Sequence, residues 1–216
     1  MVVPTTGTDM FVKFTKALLG MTIAMGAAVI ALSPSFAGAE HAGWAETGAE
    51  VSVPYGWVDF CMRYRGECPT GVRSPRDIEY TSRAQRDIER INRWVNKTVE
   101  SVSDKDHFGV VDRWDYPTDG KGDCEDYVLL KRRMLSDLGY PMQALLITVV
   151  KDKKGDGHAV LTMRTDRGDL VLDNLEDEVK GWKKTGYRFV KRQSQYDYNS
   201  WVSIGAPTAA PAYVSR

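Results

Sequence analysis

The sequence contains few cysteines and histidines and has no excess of either charge. Each of those two residue types occurs three times, and 29 Lys and Arg balance 29 Asp and Glu. A balanced charge argues against a strong electrostatic field, so nucleic acid or an anionic membrane surface is not indicated as a partner. Three histidines leave few candidates for a general base. The sequence has no internal repeat, and 216 residues, 43% of them apolar, predict one substantial domain.

Long apolar runs are also scarce, and the clearest one lies near the N-terminus. Two lysines precede the uncharged run at 17–32, and small residues after it form A-x-A-like sites that end at Ala37 and Ala39. This order is typical of a secretory signal peptide. A membrane anchor is the alternative, but a run of about 16 residues is short for a membrane span. We therefore predict a signal peptide over residues 1–39 and export to the periplasm, an oxidising compartment.

The three cysteines divide into a close pair and one further residue. Cys61 and Cys68 are separated by a short loop that includes Gly66, which favours a disulfide between them. Two free thiols are the alternative, because the sequence does not show where the Cβ atoms point. Cys124 is left without a cysteine partner, and an unpaired thiol in an exported protein indicates reactivity.

Two helices are predicted in the first part of the domain. Apolar residues recur at three- and four-residue steps from Arg83 to Val102, which predicts an amphipathic helix whose apolar face includes Trp94. A long loop follows, and Asp123 can then cap a second helix that ends at Gly139. The buried stripe of this second helix is predicted to contain Cys124, Tyr127, Val128, Leu135 and Leu138.

Strand patterns dominate the second part of the domain. The β-rich runs lie at 144–150, 158–165, 169–173, 187–192 and 201–204. Helices followed by hairpin-connected strands predict an α+β fold, with N-terminal helices packed on an antiparallel sheet. We place this domain at residues 40–204 and predict that the Ala/Pro-rich tail at 205–216 is disordered.

A nucleophile and a base can be suggested from these patterns. Cys124 opens the second helix, where aligned peptide dipoles favour a thiolate. His41 and His107 lie in polar segments, whereas His158 opens a strand. The next hairpin folds Asp173 toward His158, and a carboxylate there would hold the imidazole in one tautomer. A tight turn leaves these two residues out of direct opposition, so contact requires a bulge, a longer turn or a diagonal approach. A structural role is the alternative for His158 taken alone.

Three sequence blocks carry a family resemblance. GDCEDYVLLKRRML, GHAVLTM and LVLDNL, in this order and spacing, resemble the bacterial transglutaminase-like cysteine peptidases, which include the LapG-like periplasmic proteases. The resemblance covers residues 53–204 and implies a papain-like, transglutaminase-like fold. It also implies that Cys124 is the nucleophile, His158 the general base and acid, and Asp173 the orienting carboxylate. Asn174 follows as a neighbour of this triad.

The same resemblance implies a function. It indicates an exported cysteine endopeptidase that cleaves a protein substrate, such as a cell-surface adhesin in biofilm dispersal. An inner-membrane receptor is implied as a regulatory partner. Two alternatives remain: a transglutaminase-type acyl transferase, and a noncatalytic binding module on the same fold.

Acidic residues surround the candidate nucleophile. Asp123, Glu125 and Asp126 flank Cys124, and their charges disfavour a thiolate. A divalent cation would offset this repulsion, and carboxylate oxygens suit calcium. The family resemblance implies calcium binding by Asp123 and Glu125, with Asp126 as a weaker candidate. The alternative is a helix cap with acidic first-turn residues and no metal.

The residues just before the nucleophile are predicted to lie near the site. Trp114, Tyr116 and Pro117 could form the wall of a substrate groove, although a position in the core is an equal alternative for the tryptophan. The backbone N–H of Cys124 is the expected oxyanion donor, since the first N–H groups of a helix have no partner within it.

Overall fold

The computed structural model describes residues 42–205 and 210–214. The predicted signal peptide at 1–39 lies outside the described residues, so it stays a prediction. In the part of the chain that is described, no helix combines the length and the apolar character needed to cross a membrane.

The described residues form four α-helices and nine β-strands. The helices are α1 (Tyr55–Arg63), α2 (Ser82–Thr98), α3 (Asp104–Phe108) and α4 (Cys124–Asp137). The strands are β1 (Thr47–Val51), β2 (Glu100–Ser101), β3 (Lys121–Gly122), β4 (Leu145–Lys151), β5 (Gly157–Thr165), β6 (Gly168–Leu172), β7 (Lys180–Gly181), β8 (Arg188–Gln193) and β9 (Trp201–Ile204).

Seven of the strands form one antiparallel sheet. Their order is β1-β9-β8-β4-β5-β6-β7, whereas β2 and β3 form a separate parallel pair. The predicted α+β class, with helices before an antiparallel sheet, is therefore confirmed. The sequence did not indicate β1, because this edge strand is largely exposed and has no apolar alternation.

The central strands are covered on both faces. Val149 and Ala159 belong to the buried cluster that includes residues of α4, whereas Val150 and Val160 belong to a second cluster. Neighbouring side chains of a strand point to opposite faces of the sheet. Because both faces are covered here, apolar residues follow one another without alternation in these strands. α4 contacts α2 as well as β4 and β5, which places it within the core.

α2 is close to its predicted position but ends earlier. The Thr81 hydroxyl accepts a hydrogen bond from the Ala84 N–H at 3.2 Å and caps the helix. Val99 is extended, so the predicted extension to Val102 is wrong. Trp94 is 50% exposed, so its predicted place on the buried face is also wrong. Trp94 directly precedes the buried Val95, and side chains of neighbouring residues in a helix point about 100° apart.

Cys61 and Cys68 form a disulfide, as predicted, with Cα atoms 5.6 Å apart. It joins the last turn of α1 to the following loop. We expect replacement of both cysteines by alanine to lower the free energy of unfolding by about 2 kcal/mol, because the cross-link restricts a short loop of the unfolded chain. Denaturant unfolding of the variant and the wild type measures this difference. Alkylation of more than one thiol in the unreduced, denatured wild type would show that the bridge is absent.

The C-terminal segment differs from the sequence expectation where it is described. Val214 is 4% exposed and packs in the same buried cluster as α4. Residues 210–214 thus contact the domain, although the tail at 205–216 was predicted to be disordered. Residues 206–209 and 215–216 lie outside the described part.

Candidate active site

The candidate nucleophile is the first residue of α4. Cys124 is fully buried and forms no disulfide. Its thiol donates a hydrogen bond to Glu125 Oε2 at 3.2 Å, and its sulfur accepts one from the Ala159 N–H at 3.4 Å. The sulfur therefore lies between the start of the helix and the start of β5.

His158 and Asp173 are in direct contact. His158 Nε2 lies 2.9 Å from Asp173 Oδ1, and both side chains are buried. Leu161 pairs with Leu172 across β5 and β6, so continuing the register would place Asp173 opposite Val160. The contact is thus made diagonally, two residues away from direct opposition, which was one of the three routes left open by the sequence.

Other groups hold the carboxylate of Asp173 in place. Leu175 N–H donates to Oδ1 at 3.0 Å, and the Tyr187 hydroxyl donates to Oδ2 at 2.6 Å. The Tyr187 ring also meets the His158 ring edge-on, with centroids 5.7 Å apart. Sequence reasoning missed Tyr187, because a tyrosine just before a strand carries no signal for a contact 14 residues away.

The environment of His158 favours the imidazolium form. Burial lowers the pKa of His158, but hydrogen bonds with Asp173 and Cys124 outweigh this effect and raise the pKa to about 10. Burial conversely raises the pKa of Asp173, and the hydrogen bond with His158 contributes to a net lowering. The pair therefore favours a positive imidazole beside a negative carboxylate.

The other two histidines do not join this group. His107 Nε2 lies 2.8 Å from Asp119 Oδ2, and its ring stacks on Phe108. His41 lies outside the described residues. Asn174 is half-buried beside Asp173.

A cluster of buried carboxylates adjoins the thiol. Oxygens of Asp104, Asp123 and Asp126 all lie within 4.8 Å of one another, and ligand atoms of Asp123, Cys124 and Glu125 do so too. All four acids are almost fully buried. Asp104 was not predicted, because it is 19 residues from Asp123 in sequence. The Asp104 N–H donates to Asp123 Oδ2 at 3.1 Å, which fixes their proximity.

Three acids of the cluster, Asp104, Glu125 and Asp126, resist ionisation. Burial raises the pKa of Asp104 to about 6, and the charge of Asp123 adds to the effect. Burial and the neighbouring charges of Asp123 and Asp104 raise the pKa of Asp126 to about 9. Burial, followed by the charges of Cys124 and Asp123, also raises the pKa of Glu125. A cation bound here would relieve this repulsion.

The acids differ in the oxygens they have available. Asp126 accepts backbone hydrogen bonds on both oxygens, from Asp115 at 2.7 Å and from Asp123 at 3.3 Å. Asp104 accepts one from the Arg113 N–H on Oδ2. Within the described residues, Asp104 Oδ1 and Glu125 Oε1 are buried and have no hydrogen-bond partner of good geometry. Asp126 thus caps α4, while Asp104 and Glu125 retain ligand atoms.

Trp114 is both a core residue and part of a cavity wall. It is fully buried, and its ring meets those of Trp57 and Trp201 edge-on. It also lines a cavity of about 190 Å³ with Asp112 on the same loop. Tyr116 packs at the border of the core. The two roles suggested for Trp114 are therefore compatible.

A buried lysine lies two turns along α4 from Cys124. Lys131 is fully buried, and in the described structure its Nζ has no hydrogen-bond partner. Burial lowers its pKa to about 7, and the charges of Asp173 and Asp177 offset part of this effect. The amphipathic pattern did not predict that Lys131 is buried, because such a pattern assigns charged residues to the exposed face.

We expect Lys131→Met to raise the free energy of unfolding near pH 7, by at most about 5 kcal/mol. The lysine of the unfolded chain holds its proton up to pH 10.5, whereas buried Lys131 releases it near pH 7. The wild type therefore gains stability as pH rises between these values, and the advantage of the variant should shrink toward pH 10. Denaturant unfolding at several pH values measures this trend. Lys97→Met, at an exposed position of α2, is the control, and a pH-independent difference would contradict the assignment.

No curated protein matched the chain. Three structures of LapG from Legionella pneumophila are similar. The calcium-bound form is 22% identical, with a TM-score of 0.49, covering 61% of this chain and 76% of LapG. A second LapG structure is 24% identical, with a TM-score of 0.45, covering 53% of this chain and 66% of LapG. The EGTA-treated form is 26% identical, with a TM-score of 0.44, covering 53% of this chain and 64% of LapG.

The family model for the bacterial transglutaminase-like cysteine proteinases (BTLCP) matches residues 47–209. The chain therefore belongs to the bacterial transglutaminase-like cysteine proteinase family.

Proposed function

We propose that the chain is a cysteine endopeptidase with Cys124, His158 and Asp173 as its catalytic triad. The main support is the 2.9 Å contact between His158 and Asp173, on an imidazole that also interacts with the Cys124 thiol. A nucleophile, a base and a group that orients the base are the parts that acyl transfer through a covalent intermediate requires.

The arrangement can carry a complete reaction cycle. Cys124 first transfers its proton to His158, which becomes the imidazolium, and the thiolate sulfur then attacks the substrate carbonyl carbon. His158 then protonates the departing amine as the C–N bond breaks, which leaves a thioester on Cys124. Next, His158 takes a proton from water, which attacks the thioester and releases the carboxylic acid and the thiol. Asp173 stabilises the imidazolium throughout.

The start of α4 can stabilise the oxyanion. Because Cys124 is the first helical residue, its backbone N–H has no partner within the helix and can donate to a carbonyl oxygen that gains charge. The positive end of the helix dipole adds to this effect.

We also propose that calcium binds through Asp104, Asp123 and Glu125. The observations that support it are the raised pKa values of Asp104 and Glu125 and their buried carboxylate oxygens without good hydrogen bonds. Carboxylate ligands from the starts of two helices suit calcium better than magnesium, which demands a small octahedral shell. When bound, the cation would supply positive charge next to Cys124.

The substrate and the compartment come from the sequence and the family resemblance. We propose that the substrate is a protein, with a cell-surface adhesin as the candidate class, and that an inner-membrane receptor regulates the enzyme. Export to the periplasm is proposed from the N-terminal pattern at 1–39. The disulfide agrees with an oxidising compartment.

The test separates hydrolysis from acyl transfer. The purified protein is incubated with an adhesin fragment and an excess of a labelled primary amine, and the products are analysed by mass spectrometry. Hydrolysis yields two fragments, and the new C-terminus is a free carboxylate. Amine incorporation in place of cleavage would support a transglutaminase instead, and no reaction at all would contradict the proposed function for this substrate class. Protein alkylated at Cys124 with iodoacetamide is the matched control.

A further inference from the structure

The C-terminal residues 210–214 pack against Gly157, the residue before the candidate base. Gly157 directly precedes His158, and a Cβ atom at Gly157 would lie 2.7 Å from Pro211 Cβ and would also collide with the Tyr213 carbonyl oxygen. This approach is possible because glycine has no side chain. The segment therefore packs against the start of β5, one residue before the base.

The loop before Cys124 holds the other side of this segment. The Val214 N–H donates a hydrogen bond to the Asp112 carboxylate, which also accepts from the Gly56 N–H and from Trp114 Nε1. The Val214 side chain is 4% exposed, in the cluster that contains Cys124 and Trp114. A backbone hydrogen bond and one buried side chain thus anchor the segment.

A cavity lies between the C-terminal segment and the rest of the domain. The cavity of about 190 Å³ is bounded by residues 210–214 on one side and by Val53, Asp112, Trp114, Val149 and Lys191 on the other. Lys191 Nζ donates to the Ser52 carbonyl at 2.8 Å and is thereby held at the wall. Meanwhile Cys124 and His158 are 0% exposed, although an enzyme that acts on a protein must admit a polypeptide to both.

We propose that residues 210–214 occupy the groove through which a polypeptide substrate reaches Cys124, and that they act as an intramolecular competitive inhibitor. The proposal rests on the proposed function, since it supposes a polypeptide substrate. Substrate must displace the segment from Gly157 and Asp112 before it reaches the thiol. The apparent affinity for substrate is then reduced by the fraction of molecules in which the segment is bound.

Alkylation of Cys124 in the full chain tests the proposal without requiring proteolysis. Cys124 is the free thiol, so iodoacetamide labelling followed by intact-mass measurement reports on it alone. Val214→Asp puts a charge in the buried anchor position, and we expect labelling to become at least about tenfold faster because the segment is released. Tyr196→Ser is the matched control, since the Tyr196 side chain is 57% exposed and lies outside the segment, and its labelling rate should stay at the wild-type value.

A peptide added in trans distinguishes release of the segment from loss of the fold. The peptide APAYVSR, residues 210–216, should slow labelling of Val214→Asp at concentrations on the order of 1 mM, because a tethered segment acts at a comparable effective concentration. The same peptide with aspartate in place of its valine should have no effect. If Val214→Asp unfolds, the milder variant Val214→Ala is tested with the same labelling assay. We expect its Cys124 to be labelled about threefold faster than in the wild type.

The outcomes separate this proposal from the proposed function. Wild-type labelling rates in the folded Val214 variants, or absence of protection by the peptide, would overturn the inhibitory segment even if the protein proves to be a protease. Faster labelling and peptide protection without cleavage of any protein substrate would instead support an occupied groove and contradict the endopeptidase.

Discussion

Asp173→Asn is expected to lower the rate of substrate cleavage by about 10³–10⁴-fold while the fold stays intact. Asparagine keeps the size of the side chain, but it removes the negative charge that stabilises the imidazolium of His158 and can present an N–H where the ring needs an acceptor. Cys124→Ala gives the background rate of the cleavage assay, because it removes the nucleophile altogether. The measurement is kcat/KM on a protein substrate, together with thermal unfolding of each variant.

Two neighbouring variants serve as controls for Asp173→Asn. Glu178→Gln removes a carboxylate that is 77% exposed in the following loop, and its activity should stay within about twofold of wild type. Tyr187→Phe removes the hydroxyl that donates to Asp173 Oδ2, and a moderate loss of about tenfold is expected for a positioning residue. If Asp173→Asn cleaved at the wild-type rate, His158 would not depend on this carboxylate and the triad would have to be abandoned.

Removal of calcium is expected to lower both the activity and the melting temperature. At a calcium concentration of about 100 times Kd, binding stabilises the folded state by about 2.7 kcal/mol, which corresponds to a shift of roughly 5–10 °C for a domain of this size. Activity should fall with chelation, because the uncompensated carboxylates repel a negative sulfur and because the Cys124 thiol then stays hydrogen-bonded to Glu125. Differential scanning calorimetry and cleavage assays in EGTA, with calcium or magnesium added back, measure both effects.

Substitutions in the carboxylate cluster give the sharper version of the calcium test. Asp104→Asn and Glu125→Gln should abolish the stabilisation by calcium. In EGTA, these variants should be at least as stable as the wild type, because each removes a buried acid whose pKa is raised. Asp106→Asn, at an exposed position of α3, should respond to calcium as the wild type does. If EGTA-treated wild type cleaved and melted as before, the acids would be helix-capping residues and no metal would be needed.

The parts of the fold that the sequence predicted are those with a local periodicity. The runs that became β4 and β5 are largely apolar because both faces of the central sheet are covered. Leu138 shows the limit of such patterns. It fits the stripe of α4, but the helix ends at Asp137, Gly139 adopts a φ of 90°, and Leu138 is 42% exposed.

The site was predictable where its residues occupy motif positions and not where they meet through tertiary contacts. Cys124, His158 and Asp173 belong to recognisable blocks, and the structure brings them together. Asp104 and Tyr187 join the site from other segments, and nothing in their local sequence marks them. Asp104 reaches the cluster because the parallel pairing of β2 with β3 aligns the chain before α3 with the chain before α4.

The burial of α4 also has a consequence for how the protein opens. Tyr127, Val128 and Leu135 are at most 3% exposed, and their amide groups lie inside a helix that contacts both α2 and the sheet. Amide protons in such an element exchange with deuterium only when the whole domain unfolds, whereas short elements at the surface exchange through small local openings. α3 has five residues, and its protection should be lost far sooner. The helix that carries Cys124 is then among the last elements to open, so thermal motion that loosens the surrounding loops leaves the position of the sulfur unchanged.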